Sequence, residues 1–176
     1  MPALDGLTQV NSLATQTALT VWSATSDFLI IIIMLAVFYM FARYVGRGPF
    51  VGLLLAFYAA YALYSAFLQY SFVSLLPTAP ATTALFTRVG LYAAFVLLFY
   101  IILRRVVVSD FLYIGLFALI TLSFLGSAFL LALAYNVFPI SSLYTFTPPI
   151  AMLFAPKAYF FWWFLGPAVG LFFLAR

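Results

Sequence analysis

The chain has 176 residues, which suits one domain. Hydrophobic side chains make up 68% of it and charged ones only 6%, against about a quarter in a soluble domain, so a water-soluble surface is excluded and a polytopic membrane protein is expected. The net charge of +4 comes from basic residues scattered singly or in pairs, which fits topology signals and contacts with anionic lipid headgroups rather than a nucleic-acid surface.

Residues 1–26 are polar and nearly uncharged. Val10, Leu13, Ala14, Ala18 and Val21 recur at helical spacing, with Thr8, Gln9, Ser12, Thr15 and Gln16 on the other face. This pattern predicts an amphipathic helix lying in the membrane interface, anchored by Trp22. A basic leader and an A-x-A-like cleavage site are missing before the first apolar core, so no cleaved signal peptide is expected.

Five apolar segments follow within residues 27–176: 27–45, 50–70, 84–103, 111–137 and 158–175. Ser26 or Asp27 is a candidate cap for the first. Between the first two lies "FARYVGRGPFVG", Phe41–Gly52. Its glycines resemble a phosphate loop, but such a loop follows a strand and ends in Lys-Ser/Thr, whereas this one joins two apolar helices and has no lysine. It predicts a helical hairpin: Gly46 ends one helix in a left-handed conformation and Pro49 sits in the first turn of the next.

Segment two carries Gly52, Ala56 and Ala60, four apart on one helix face. Such a small-residue stripe lets another backbone approach closely, either within the chain or across a homo-oligomer or membrane-complex contact. Tyr58, Tyr61 and Tyr64 on the same helix need hydroxyl partners in hydrocarbon. The second inside turn, "RRVVVSD", holds Arg104 and Arg105, with Ser109 and Asp110 as caps for segment four. Segment four contains Thr121, Ser123 and Ser127, whose hydroxyls can bond one turn back or reach across to another helix.

The stretch before segment five contains Pro139, Pro148, Pro149 and Pro156. It predicts an outside loop or a short half-helix around Ile150–Phe154. Segment five has Gly166-Pro167 at its centre, which predicts a kink on which Trp162 and Trp163 can pack. A fifth span is favoured over a surface segment there.

The expected fold is therefore all-α: a polytopic integral membrane helical bundle of about five transmembrane helices behind an N-terminal amphipathic segment. Placing the N-terminus outside puts Arg43, Arg47, Arg104, Arg105 and Arg176 inside, with only Arg88 and Lys157 outside, as the positive-inside rule requires. Arg43, Arg47, Arg104 and Arg105 are then the topology and lipid-headgroup residues.

Cysteine and histidine are both absent, which removes disulfides, thiolate chemistry, the commonest general base and the commonest metal ligand. Glutamate is absent too, leaving Asp5, Asp27 and Asp110 as the side-chain carboxylates. Every charge falls near an expected helix end, whereas coupled transporters bury ionisable groups. No catalytic residue, cofactor or metal site is expected.

The opening of the bundle resembles a known pattern: Asp27 starts a span, "RYVGRGPFVG" turns it, and "LLLAFYAAYALYSAF" follows, rich in small and aromatic residues. Over residues 27–70, with compatible spacing to about 137, the chain resembles the colicin V production family of small bacterial membrane proteins. The resemblance implies a role in export or envelope physiology at the inner membrane, without a catalytic site. A non-enzymatic accessory or scaffold component is the expected function, with a channel, holin-like pore or small transporter as the alternative.

Overall fold

The computed structural model describes residues 2–69, 81–106, 115–138, 140 and 143–174, with side chains described mostly from Val21 onward. Among the described residues every regular element is a helix: α1 (Pro2–Tyr44), α2 (Arg47–Leu68), α3 (Ala81–Val106), α4 (Leu116–Asn136), α5 (Pro148–Phe154) and α6 (Lys157–Leu174).

α1 corrects one expectation. No helix start falls at Asp27, because a single helix of 43 residues runs through it. The reason is local: neither glycine nor proline occurs between Gly6 and Gly46, so nothing interrupts the ladder. Thr25 Oγ1 donates to the Val21 carbonyl at 2.8 Å and Ser26 Oγ to the Trp22 carbonyl at 2.9 Å. These are the back-bonds a hydroxyl makes inside a helix, so neither Ser26 nor Asp27 caps a helix start.

The α1–α2 hairpin turns at Gly46, whose φ of 117° is open to glycine and strained for other residues. The Phe50 amide then bonds the Gly46 carbonyl at 3.2 Å, and Pro49 occupies the first turn of α2, where its missing N–H is harmless. α4 starts later than the expected 111, with Gly115 as its N-cap. Ser109 and Asp110 lie outside the described residues.

The helices pack in the order α3, α2, α1, α4, α6, with α5 bridging α4 and α6. The core they enclose is built largely from rings: Phe38, Phe50, Phe57, Tyr64, Tyr92 and Phe129 are all buried. The outer face is the reverse of a soluble protein's. Ile32, Val37, Leu97, Ile101, Phe117 and Phe172 are all large, apolar and exposed, and a continuous surface of that kind fits lipid.

Among the described residues, four helical stretches are long and apolar enough to cross a membrane: Val21–Tyr44, Arg47–Leu68, Thr82–Val106 and Leu116–Asn136. α6 is not among them. Its 18 residues rise about 27 Å at 1.5 Å each, slightly under the roughly 30 Å of a hydrocarbon core. Pro167 lies inside α6 and is fully buried. Tyr58 Oη donates to the Phe164 carbonyl at 2.6 Å, so α2 supplies a hydroxyl in the turn where the proline withholds a backbone donor.

Candidate functional site: a buried carboxylate and an aromatic interior

The sequence-predicted residues are found in three settings. Gly52, Ala56 and Ala60 are buried within the single chain, although a Cβ added at Gly52 would meet nothing within 4 Å. Arg43 and Arg47 are exposed at the first hairpin, where with Ala42, Gly46, Leu116 and Leu119 they line a cavity of about 310 Å³. Arg104 and Arg105 are exposed in the last turn of α3, where cations complement the helix dipole.

The residue that sequence reasoning misplaced is Asp27. It is fully buried, at 0% exposure, and it lies six residues inside the first spanning stretch. The expectation that every charge sits at a helix end is therefore wrong for this one. A buried carboxylate is costly unless its lone pairs are bonded, and here they are. Tyr144 Oη donates to Oδ1 at 2.7 Å. The Thr147 backbone N–H and Oγ1 both donate to Oδ2, each at 2.6 Å.

These donors come from the connection between α4 and α5. Beyond Asn136 the chain turns tightly, with the Ile140 amide on the Phe138 carbonyl and the Tyr144 amide on the Ile140 carbonyl. Phe146 packs its ring between Tyr135, at 5.6 Å, and Tyr144, at 4.7 Å. Thr147 is the N-cap of α5 but makes no side-chain bond to its own helix. Pro148 and Pro149 follow, and they bring no N–H for a cap to satisfy. The Ile150 N–H bonds the Thr147 backbone carbonyl at 3.1 Å, and the Thr147 hydroxyl donates to Asp27 rather than capping the helix.

α5 has only 7 residues, far too few to be stable alone. It is pinned at both ends. Its start is held by Asp27 of α1. At its end, Asn136 Nδ2 of α4 donates to the Phe154 carbonyl at 2.9 Å, and Trp163 Nε1 of α6 donates to the Leu153 carbonyl at 3.0 Å. Trp163 also lies against Phe154, with ring centroids 4.7 Å apart. That corrects the expected packing of the two tryptophans on the Pro167 kink: Trp163 serves α5, and Trp162 is exposed. Beneath α5 is an apolar cavity of about 310 Å³, lined by Phe28, Met34, Phe124, Ser127 and Ile150 among others.

The charge of Asp27 reaches two tyrosines. The hydrogen bond to the carboxylate, with burial second, holds the Tyr144 phenol above its ordinary value, because losing its proton would set two anions against each other. Tyr135 of α4 also feels this charge, and its hydroxyl is buried without a hydrogen-bond partner.

Deeper in the bundle the rings interlock. Phe129 stacks on Tyr58 at 4.9 Å and meets Phe57 at 6.4 Å and Phe164 at 5.5 Å, both edge-on. Among hydroxyls, Tyr92 Oη donates to the Phe57 carbonyl at 3.1 Å, while Tyr64 Oη is buried without a partner. Ser123 and Ser127 bond the Leu119 and Ser123 carbonyls, both at 2.8 Å, so α4 spends these hydroxyls on its own ladder rather than presenting them to a path.

Compared with protein-family models, with curated proteins and with solved structures, the chain finds no match.

Proposed function

We propose that the chain is a non-enzymatic integral membrane protein that serves as an accessory or scaffold component of a bacterial inner-membrane or envelope-export system. The observation that carries this reading is an interlocked ring cluster. Phe57, Tyr58, Phe129 and Phe164 come from α2, α4 and α6 and close ring on ring where those three helices meet. Packing of that kind supports a rigid membrane body and works against an open pore between these helices, while an apolar cavity of about 600 Å³ lies to one side, lined by Phe57, Tyr92, Val96 and Leu133 among others. The resemblance of residues 27–70 to the colicin V production family supports the same setting.

In this reading the protein is multi-pass with its N-terminus outside and its C-terminus cytoplasmic. Arg43, Arg47, Arg104 and Arg105 meet anionic headgroups on the inner face, and α6 completes a fifth crossing with local thinning of the bilayer. The chain has no cysteine, so single variants report topology directly. Arg105→Cys labels only after the inner membrane is breached, and Asp5→Cys labels in intact cells; the opposite pattern overturns the orientation.

The function is tested in proteoliposomes of purified protein. A scaffold gives no ion flux above protein-free vesicles and co-purifies with a stoichiometric membrane partner. Flux that tracks protein content supports the second reading, a small transporter or channel. One specific observation favours that alternative: the carboxylate of Asp27, buried within a spanning stretch, is a feature of ion and proton pathways.

A further inference from the structure

We propose that Asp27 is a proton-binding site, and that a proton arriving there unlatches the α4–α5 connection and α5 from α1. The inference goes beyond the functional reading above and requires only that α1 crosses the membrane.

The carboxylate accepts three hydrogen bonds and all three come from one short strap, Tyr144 to Thr147. α1 carries the acceptor and the strap carries every donor. Among the described residues, no lysine or arginine contributes to the electrostatics of Asp27; the titratable groups that feel its charge are Tyr144 of the strap and Tyr135 of α4. α5 contains no titratable residue at all. The state of the latch therefore depends on one proton, with no countercharge to buffer it.

Protonation acts on this geometry in a definite way. Oδ2 takes two donors, so a proton there displaces one of them: the Thr147 hydroxyl turns and accepts, and the Thr147 N–H is left donating to a neutral, weaker acceptor. A proton on Oδ1 instead makes the Tyr144 hydroxyl turn and accept. In either case the charge-assisted bonds become neutral ones, about half as strong. The latch holds while the carboxylate is charged and weakens as pH falls through its titration. Access is short: Asp27 lies about 9 Å along the helix from Val21, at 1.5 Å per residue, and half-buried Tyr144 and Thr147 stand above it.

The consequence falls on α5, since Asp27 is the pin at its N-terminal end. With that pin released, α5 hangs only from Asn136 and Trp163 at its other end. It then swings from the apolar cavity that it lines together with α1, α4 and Trp163 of α6.

The test uses the full chain in lipid nanodiscs in an Asp5→Asn, Asp110→Asn background, so that Asp27 is the sole side-chain carboxylate. Infrared spectra read its protonation, and a nitroxide at Leu143→Cys, an exposed position beside Tyr144, reads strap motion. The expected result is one acid transition in which the carboxyl stretch appears together with a mobile nitroxide component absent at neutral pH. Asp27→Asn has the mobile component at every pH. Tyr144→Phe with Thr147→Val also has it at every pH while its carboxyl still titrates, which keeps the test decisive if Asp27→Asn fails to fold. Protonation with an immobile strap overturns the proposal, as does an acid-induced strap transition that persists unchanged in Asp27→Asn.

Discussion

Truncating Phe129 to alanine tests the packed interior most directly. The residue is at 0% exposure and touches rings of α2 and α6 at once. In lipid the transfer term nearly vanishes, because the hydrocarbon around an unfolded span is as apolar as the core, so the cost is lost packing. Removing a phenyl ring leaves ~100 Å³ unfilled, which at the 24 cal/mol per Å³ measured for cavities is about 2.4 kcal/mol. Three ring pairs vanish as well, each contributing about 0.5–1.5 kcal/mol. The two figures overlap, since both count dispersion contacts, so about 2–5 kcal/mol is expected. Reversible unfolding in mixed micelles measures it against Phe172→Ala, whose ring is 73% exposed and whose loss changes little. A Phe129→Ala cost indistinguishable from that control refutes the ring-cluster account and, with it, the main support for a scaffold.

Tyr58→Phe leaves the Phe164 carbonyl short of its hydroxyl partner beside the kink; the cost in the same assay is about 0.6–1.7 kcal/mol, the range of interhelical hydrogen bonds in membranes. Gly126→Val drives a Cβ to 2.8 Å from Leu54 Cδ2, a side chain at 0% exposure, and costs about 1–3 kcal/mol. Gly52→Ala meets nothing within 4 Å and stabilises α2 by up to about 1 kcal/mol; oligomer mass in mild detergent is unchanged by it. Tyr144 titrates above the usual value of about 10, because its phenol donates to Asp27. Its protonated form is favoured in the fold, so its contribution is complete below pH ~10 and lost as pH rises through the raised value. Ultraviolet titration of Asp27→Asn returns this tyrosine toward the ordinary range.

Most of the bundle is visible in hydropathy alone. The Gly46 turn, the α2 and α3 boundaries and the short helix after Pro148 follow from local signals that act within a few residues. Asp27 is different. An aspartate beside a serine at the head of an apolar run is the ordinary mark of an N-cap, and that local reading is sound chemistry. What overrides it is the absence of any breaker from residue 7 to 45, which lets one helix pass through both the polar and the apolar stretch. Its true partners, Tyr144 and Thr147, are 117 and 120 residues away, and nothing in their sequence pairs them with it. A trace did exist: Thr147 stands before two prolines, so the N2 amide from which its side-chain oxygen could accept is missing, and its hydroxyl turns to another partner. The two tryptophans were misassigned for a similar reason, since Trp163 finds its acceptor on a helix that hydropathy alone does not resolve.

The latch also sets an order of assembly. A bond spanning 120 residues closes only after the intervening helices have been threaded and packed, because its loop-closure entropy must be met before the contact returns anything. α5 has too few residues to form beforehand. Its docking therefore follows the threading of α1 to α4, and a ribosome-bound chain that has released those helices but not the segment from Tyr144 to Thr147 holds Asp27 without its donors.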